Sequence, residues 1–163
     1  MNIVLVEPEI PYNAGAIGRT CVAANAVLHL IRPLGFSTDD ASVKRSGLDY
    51  WEFLNVRYYD DYNDFEMKNA GACMYFATTK AKYNYADVKY SEDDFLVFGK
   101  ESAGLPEELL LRNKETCIRV PMLPEARSLN LSVSVGIVLY EAMRQNGFPF
   151  LKTEGQLKKY TWD

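Results

Sequence analysis

Phe95-Leu96-Val97-Phe98-Gly99-Lys100-Glu101-Ser102-Ala103-Gly104-Leu105-Pro106 begins as a strand and ends as the start of a helix. Its first four residues are apolar, aromatic or β-branched, the composition of a buried strand. Pro106 is placed at a first helical position, ahead of Glu-Glu-Leu-Leu-Leu. Between the two, Gly99 and Gly104 let a ligand approach the main chain. Glu101 offers a carboxylate that accepts hydrogen bonds from hydroxyl or amino groups. A strand feeding a helix through a polar turn is the repeating unit of an α/β fold.

The same alternation runs outward in both directions. Strand-length apolar runs occupy residues 2–6, 27–31, 55–59, 73–77, 95–98 and 117–120. Helical character marks residues 14–24, 61–68, 106–112 and 129–145, the last carrying an apolar band of Leu131, Val135, Val138, Leu139 and Ala142 and ending near Asn146-Gly147. Strands that alternate with helices predict an α/β domain with a mostly parallel sheet flanked by helices. No repeat, low-complexity tract or linker interrupts it. The reading is one domain over residues 1–163, with a core to about residue 147 and an aromatic tail over 148–163.

Composition narrows the class. The chain has 163 residues, 48% apolar and 25% charged, which fits one globular domain with a sizeable core. No apolar run has the length of a membrane span, and no basic flank of a secretory signal is present, so a cytoplasmic location is expected. Cys21, Cys73 and Cys117 are odd in number, widely spaced and in apolar contexts, and read as buried thiols. His29, the one histidine, lies inside Val27-Leu28-His29-Leu30-Ile31 and reads as a core or sheet-edge residue. No zinc site or Ser-His-Asp triad is expected from such a set. The net charge of −4 argues against nonspecific nucleic-acid binding. Lys44-Arg45, Lys80 with Lys82, and Lys152 with Lys158 and Lys159 are the candidates for a local basic patch or for an ordinary solvated face.

Open parallel sheets bind ligands beyond the carboxyl ends of their strands. The polar loops after the strands ending at Val6, Ala77, Phe98 and Val120 are therefore the candidate site. In the first loop, Glu7-Pro8-Glu9-Ile10-Pro11-Tyr12-Asn13-Ala14-Gly15 leads to Arg19. Asn13 is expected to cap the helix. Spacing alone leaves Arg19 either facing solvent or serving a site. A dinucleotide fingerprint is missing, because Gly15 and Gly18 lack the first turn glycine. The last loop, Pro124-Glu125-Ala126-Arg127-Ser128-Leu129-Asn130-Leu131-Ser132, crowds hydrogen-bonding side chains at a helix start. Before it, Ile118-Arg119-Val120-Pro121-Met122 brings apolar backbone beside the polar serine–asparagine turn, as an adenine ring needs, and Arg127 suits a phosphate or carboxylate.

Together these loops resemble the three motifs of the SPOUT methyltransferases, and most narrowly the small single-domain tRNA ribose 2′-O-methyltransferases of the TrmL-like group. The resemblance covers residues 2–147. It rests on Glu7-Pro8-Glu9-Ile10-Pro11-x-Asn13-x-Gly15-x-x-x-Arg19, the block at 41–52 with Gly47-Leu48-Asp49-Tyr50, and Thr78-Thr79-Lys80. Gly99-x-Glu101-x-x-Gly104-Leu105-Pro106 and Arg127-Ser128-Leu129-Asn130-Leu131-Ser132 with Tyr140-Glu141-Ala142 complete it. Ala14 and Ala16 stand where relatives often carry threonine or asparagine.

The resemblance implies a SPOUT fold with a C-terminal trefoil knot, S-adenosylmethionine as cofactor, and a homodimer whose partner completes each site. It implies cofactor binding by Ala77, Thr78, Gly99, Glu101, Gly104, Val120, Met122, Ser128, Leu129 and Leu131. It implies catalytic roles for Arg19, Ser128, Asn130 and Tyr140, with no metal. The implied substrate is the anticodon stem-loop of tRNA, methylated on the ribose of a wobble cytidine or carboxymethylaminomethyluridine. Another tRNA or ribosomal RNA position, and a non-enzymatic RNA-binding module, are the alternative readings.

Overall fold

The computed structural model describes residues 1–37 and 53–162. The block at 41–52 and the Lys44-Arg45 pair lie outside the described residues. Seven strands are described: β1 (Asn2–Val6), β2 (Val27–Ile31), β3 (Val56–Tyr59), β4 (Met74–Ala77), β5 (Tyr83–Asn84), β6 (Phe95–Phe98) and β7 (Cys117–Arg119). Four α-helices accompany them: α1 (Pro11–Ala23), α2 (Tyr62–Lys68), α3 (Glu107–Arg112) and α4 (Leu131–Gln145).

All strands pair in parallel, in the order β3-β2-β1-β6-β4-β7-β5. The late strand β6 lies between β1 and β4, and β7 lies between β4 and β5. The chain thus leaves β1 toward one edge by way of β2 and β3, and fills the other half of the sheet afterwards. Ligand crevices in such sheets form where the winding direction changes. Here that place is the boundary between β1 and β6.

Both faces of the sheet are covered, which is why its strands read as nearly continuous apolar runs. On one face Ile3, Leu5, Leu28, Leu30, Leu96, Phe98 and Ile118 pack with Ile17 and Cys21 of α1 and Val135, Val138, Leu139 and Ala142 of α4. On the other, Val4, Val6, Tyr59, Phe76, Val97 and Cys117 meet Phe65 of α2 and Leu109 and Leu110 of α3. The alternation of neighbours along each strand is the period-two pattern of a pleated sheet.

His29 is fully buried among Tyr59, Phe65 and Phe95. Its ring nitrogens pair with the Tyr59 hydroxyl at 2.9 Å and the Asn2 side-chain oxygen at 3.1 Å. Burial, with Arg57 nearby, pushes its pKa down to about 4, so it is a neutral core residue at pH 7.

Two expectations are corrected, and one strand is new. Cys21 and Cys117 are buried, but Cys73 is exposed, one residue ahead of the start of β4. Val120 falls just past β7 rather than inside it. The short β5 was not expected; a two-residue Tyr83-Asn84 strand carries too little apolar sequence to announce itself. In the tail, Phe148 and Leu151 pack on the core, whereas Phe150, Tyr160 and Trp162 are exposed.

Candidate active site

A cavity of about 430 Å3 opens beyond the carboxyl ends of β4, β6 and β7. Ala77, Thr78, Gly99, Glu101, Gly104, Val120, Met122, Ser128, Leu129 and Leu131 all line it. Asn13 and Asn130 line it as well, so residues from widely separated parts of the chain meet there. The volume falls within the range of about 300–1,000 Å3 common to small-molecule sites.

The 99–104 turn owes its shape to its glycines. A Cβ on Gly99 would lie 2.1 Å from the Gly104 carbonyl carbon and 2.3 Å from the Leu105 nitrogen. Gly99 is thus required by the turn's own main chain, before any ligand is considered. Gly104 adopts φ of +71°, and its N–H donates to the Lys100 carbonyl at 2.8 Å. The turn is a closed unit that presents one wall of the cavity.

Glu101 fastens this wall to the loop after β1. Its carboxylate accepts from the Glu9 N–H at 2.8 Å, the Ile10 N–H at 3.2 Å and the Asn13 side-chain amide at 2.9 Å. The Asn13 oxygen accepts in turn from the Asn130 amide at 3.0 Å. The Asn130 oxygen takes the Ser132 and Val133 N–H groups and the Ser132 hydroxyl, capping α4. One chain of hydrogen bonds therefore joins all three loops.

Asn13 is not the cap of α1. Pro11 opens that helix, Ile10 occupies the cap position without a side-chain hydrogen bond, and Asn13 points into the network instead. Proline at the first helical position starts the helix before the asparagine is reached.

Two further contacts lock the same loops, and residue-type reasoning did not single them out. The Ser102 N–H and hydroxyl donate to Glu9 at 2.9 and 2.8 Å, which holds the Glu9 carboxyl below its usual range. Lys100 pairs with Glu7 at 2.8 Å. Behind the loop, a Cβ on Gly35 would lie 2.6 Å from the Glu9 carbonyl oxygen, and the Gly35 N–H donates to Pro8 at 2.9 Å. The acidic pair Glu7 and Glu9, set against Lys100 and Ser102, was the available sequence signal.

Arg19 and Tyr140 are not among the cavity walls. Arg19 is exposed on α1, and Tyr140 is exposed on α4. The two helices pack on each other, so both side chains belong to the same helical layer. Lys80 lines the rim and pairs with Glu107 of α3. Among the described residues, no group of three or more His, Cys, Asp or Glu is placed to hold a metal ion. No helix among them is long and apolar enough to cross a membrane.

Fold and cavity define a parallel α/β protein with a cavity of small-molecule size at its strand ends. The sequence profile of the SpoU rRNA Methylase family matches residues 1–140, and the chain belongs to that family. A relative from Listeria innocua is 51% identical over 156 residues, covering 94% of this chain and 92% of its own. The tRNA (cytidine(34)-2′-O)-methyltransferase of Escherichia coli K12 is 45% identical over 150 residues, covering 91% of this chain and 96% of its own. A solved structure described as giving insights into the 2-OH methylation of C/U34 on tRNA superposes with a TM-score of 0.86 at 42% identity, covering 90% of this chain and 95% of the other. An AdoMet-bound rRNA methyltransferase from Sinorhizobium meliloti superposes at 0.77 and 28% identity, covering 88% of this chain and 55% of that one.

Proposed function

We propose that this protein transfers a methyl group from S-adenosylmethionine to the ribose 2′-hydroxyl of the wobble nucleotide of tRNA, a cytidine or a modified uridine. The supporting observation is the joining of three loops around one cavity by Glu101, Asn13 and Asn130. The relatives named for that reaction cover nearly the whole chain, which favours this substrate over other RNA positions.

The residues present fit the cofactor. An adenosine needs a flat apolar slot edged by main-chain donors and acceptors. Val120, Met122, Leu129 and Leu131 supply apolar walls, and the 99–104 turn and Thr78 bring main chain to the cavity. In this reading Ala77, Thr78, Gly99, Gly104, Val120, Met122, Ser128, Leu129 and Leu131 hold the cofactor, which supplies an activated methyl on a sulfonium. Glu101 lines the same cavity while fixing the turn to the first loop.

A ribose hydroxyl is a weak nucleophile and must be held in line and polarised. Ser128 and Asn130 line the cavity, and in this reading they orient the ribose. Arg19 binds the adjoining phosphate and polarises the hydroxyl through its planar, cationic fork. Tyr140 contacts the RNA. Because Arg19 and Tyr140 lie outside the walls of their own cavity, a homodimer in which a second copy completes each site accommodates both. The sheet order, with β6 and β7 inserted between other strands, suits the knotted topology of the family. The cytoplasm, where tRNA is processed, is the place of action in this reading.

The test is to incubate the protein with S-adenosylmethionine and tRNA lacking wobble methylation, then digest and identify nucleosides by mass spectrometry. A 2′-O-methylated cytidine or uridine derivative mapped to the first anticodon position is the expected product. Methylation mapped elsewhere, or no methylation despite cofactor binding, overturns the assignment.

A further inference from the structure

The segment after α4 has no part in the cavity, yet its chemistry is distinctive. Between Lys152 and Trp162, Lys152, Lys158 and Lys159 stand against Glu154, in a chain whose formal net charge is −4. Phe150, Tyr160 and Trp162 are 90%, 77% and 74% exposed. Large aromatic side chains left in water beside lysines are the usual makings of a single-stranded nucleic-acid surface. Every base offers a face for stacking, and lysines follow the phosphates.

The segment is anchored at its start. Phe148 and Leu151 pack on the core, the Phe148 N–H donates to the Met143 carbonyl at 2.9 Å, and the Leu151 N–H donates to the Phe148 carbonyl at 3.1 Å. Phe148 and Phe150 adopt φ of +54° and +64°, a region that bulky side chains rarely occupy. This backbone sends Phe148 and Leu151 inward and leaves Phe150 outside. Further on, the Trp162 indole N–H donates to the Gly155 carbonyl at 3.3 Å. That bond closes a loop with Lys158, Lys159 and Tyr160 exposed along it.

We infer that the 150–162 segment is an RNA-contacting arm, in which Phe150, Tyr160 and Trp162 stack on unpaired nucleotides of the substrate while Lys152, Lys158 and Lys159 engage their phosphates. The inference rests on the RNA-methylation reading and adds a binding surface outside the cavity. A polyanion with exposed bases matches both the aromatic groups and the lysines.

The full-length protein is titrated with unmodified tRNA at several salt concentrations, following tryptophan fluorescence and methyl transfer in the same samples. Trp162→Phe identifies the Trp162 signal. Stacking predicts quenching of that signal, and Tyr160→Ala with Trp162→Ala weakens tRNA binding on the order of tenfold or more. Lys158→Ala with Lys159→Ala flattens the dependence of log affinity on log salt by about 0.7 per lost contact. Cofactor affinity is unchanged in every variant. Unchanged tRNA affinity and no Trp162 quenching overturn the arm, and they leave the enzyme reading intact if the wild-type protein still methylates tRNA. A change in oligomeric state without a change in tRNA affinity assigns the segment to a second copy and also overturns it. Wild-type protein that binds no tRNA sinks both readings.

Discussion

The Asn13 side-chain amide donates to the Glu101 carboxylate over 2.9 Å, joining the helix after β1 to the turn after β6. Glu101 also receives two main-chain N–H groups from the first loop. Glu101→Ala leaves these donors without their partner, and it should cost about 1–2 kcal/mol, because the bonds are part-buried or exposed and water replaces some of what is lost. Denaturant unfolding measures the loss. A double-mutant cycle with Asn13→Ala should give a coupling of about 1 kcal/mol or more, because the two side chains share a network. Additive losses would mean the loops hold their positions by other means.

Gly99 and Gly104 sit in one turn but fail for different reasons. A methyl at Gly99 would drive into the main chain of Gly104 and Leu105, whereas nothing lies within 4 Å of a methyl at Gly104. Gly104→Ala should therefore cost about 1 kcal/mol, the strain of a positive φ alone. Gly99→Ala should dislocate the turn and abolish cofactor titration heat. Equal affinity of the two variants for S-adenosylmethionine would remove the turn from the proposed binding site.

How much was legible beforehand follows from where the apolar residues stand. Phe95 to Phe98 are all buried and announced β6 without help from the rest of the chain. The sheet order was not legible. Nothing in Phe95-Leu96-Val97-Phe98 says that it pairs with both Asn2–Val6 and Met74–Ala77, since parallel partners are chosen by tertiary packing. Ten proposed cofactor residues were grouped by motif and line one cavity. The bonds that bring them there were not foreseen, because Glu101 was read as a ligand acceptor and Asn13 as a helix cap. Side-chain partners nearly 90 residues apart leave no mark in local patterning. Cys73 was misread for the reverse reason: its apolar neighbours are real, but it stands just outside the strand they begin.

Arg19 separates chemistry from cofactor binding. It is exposed on α1 and does not line the cavity, so Arg19→Ala should leave the S-adenosylmethionine affinity within about twofold. The same change should lower kcat by at least about a hundredfold, the usual scale for lost proton-transfer assistance or transition-state charge stabilisation. Arg19→Lys keeps the charge but not the planar fork, and should recover little activity if phosphate positioning is the role. Calorimetry and single-turnover methyl transfer on the same preparations decide it. A variant that loses cofactor affinity instead would place Arg19 in the cofactor shell.

The three thiols should differ sharply in reactivity. Cys21 is fully buried, and burial pushes its pKa up to about 12, so almost no thiolate forms at neutral pH. Cys117 is buried as well, its sulfur within 3.5 Å of the Leu110 carbonyl. Native protein treated with a thiol reagent should label Cys73 first, and denaturant should release the other two. Mass spectrometry of the digested adduct identifies the site. Rapid labelling of Cys21 would show that α1 opens far more readily than its packing implies.

Acid should weaken the fold through His29. The unfolded imidazole titrates near ~6.5, whereas the folded one is held down to about 4 by burial and by Arg57. A depressed histidine pKa means that the neutral ring is favoured in the fold. Its contribution is complete above ~6.5 and is lost as the pH falls from there toward 4. The full difference is on the order of 3 kcal/mol. Urea unfolding at pH 7 and pH 4.5 should show this fall in the wild-type protein. His29→Gln keeps a polar side chain beside Tyr59 and Asn2 but cannot take up the proton. It should start less stable at pH 7 and lose less on acidification, so the two stability curves converge toward pH 4. Parallel curves would mean that other groups carry the acid sensitivity and that His29 remains paired when protonated.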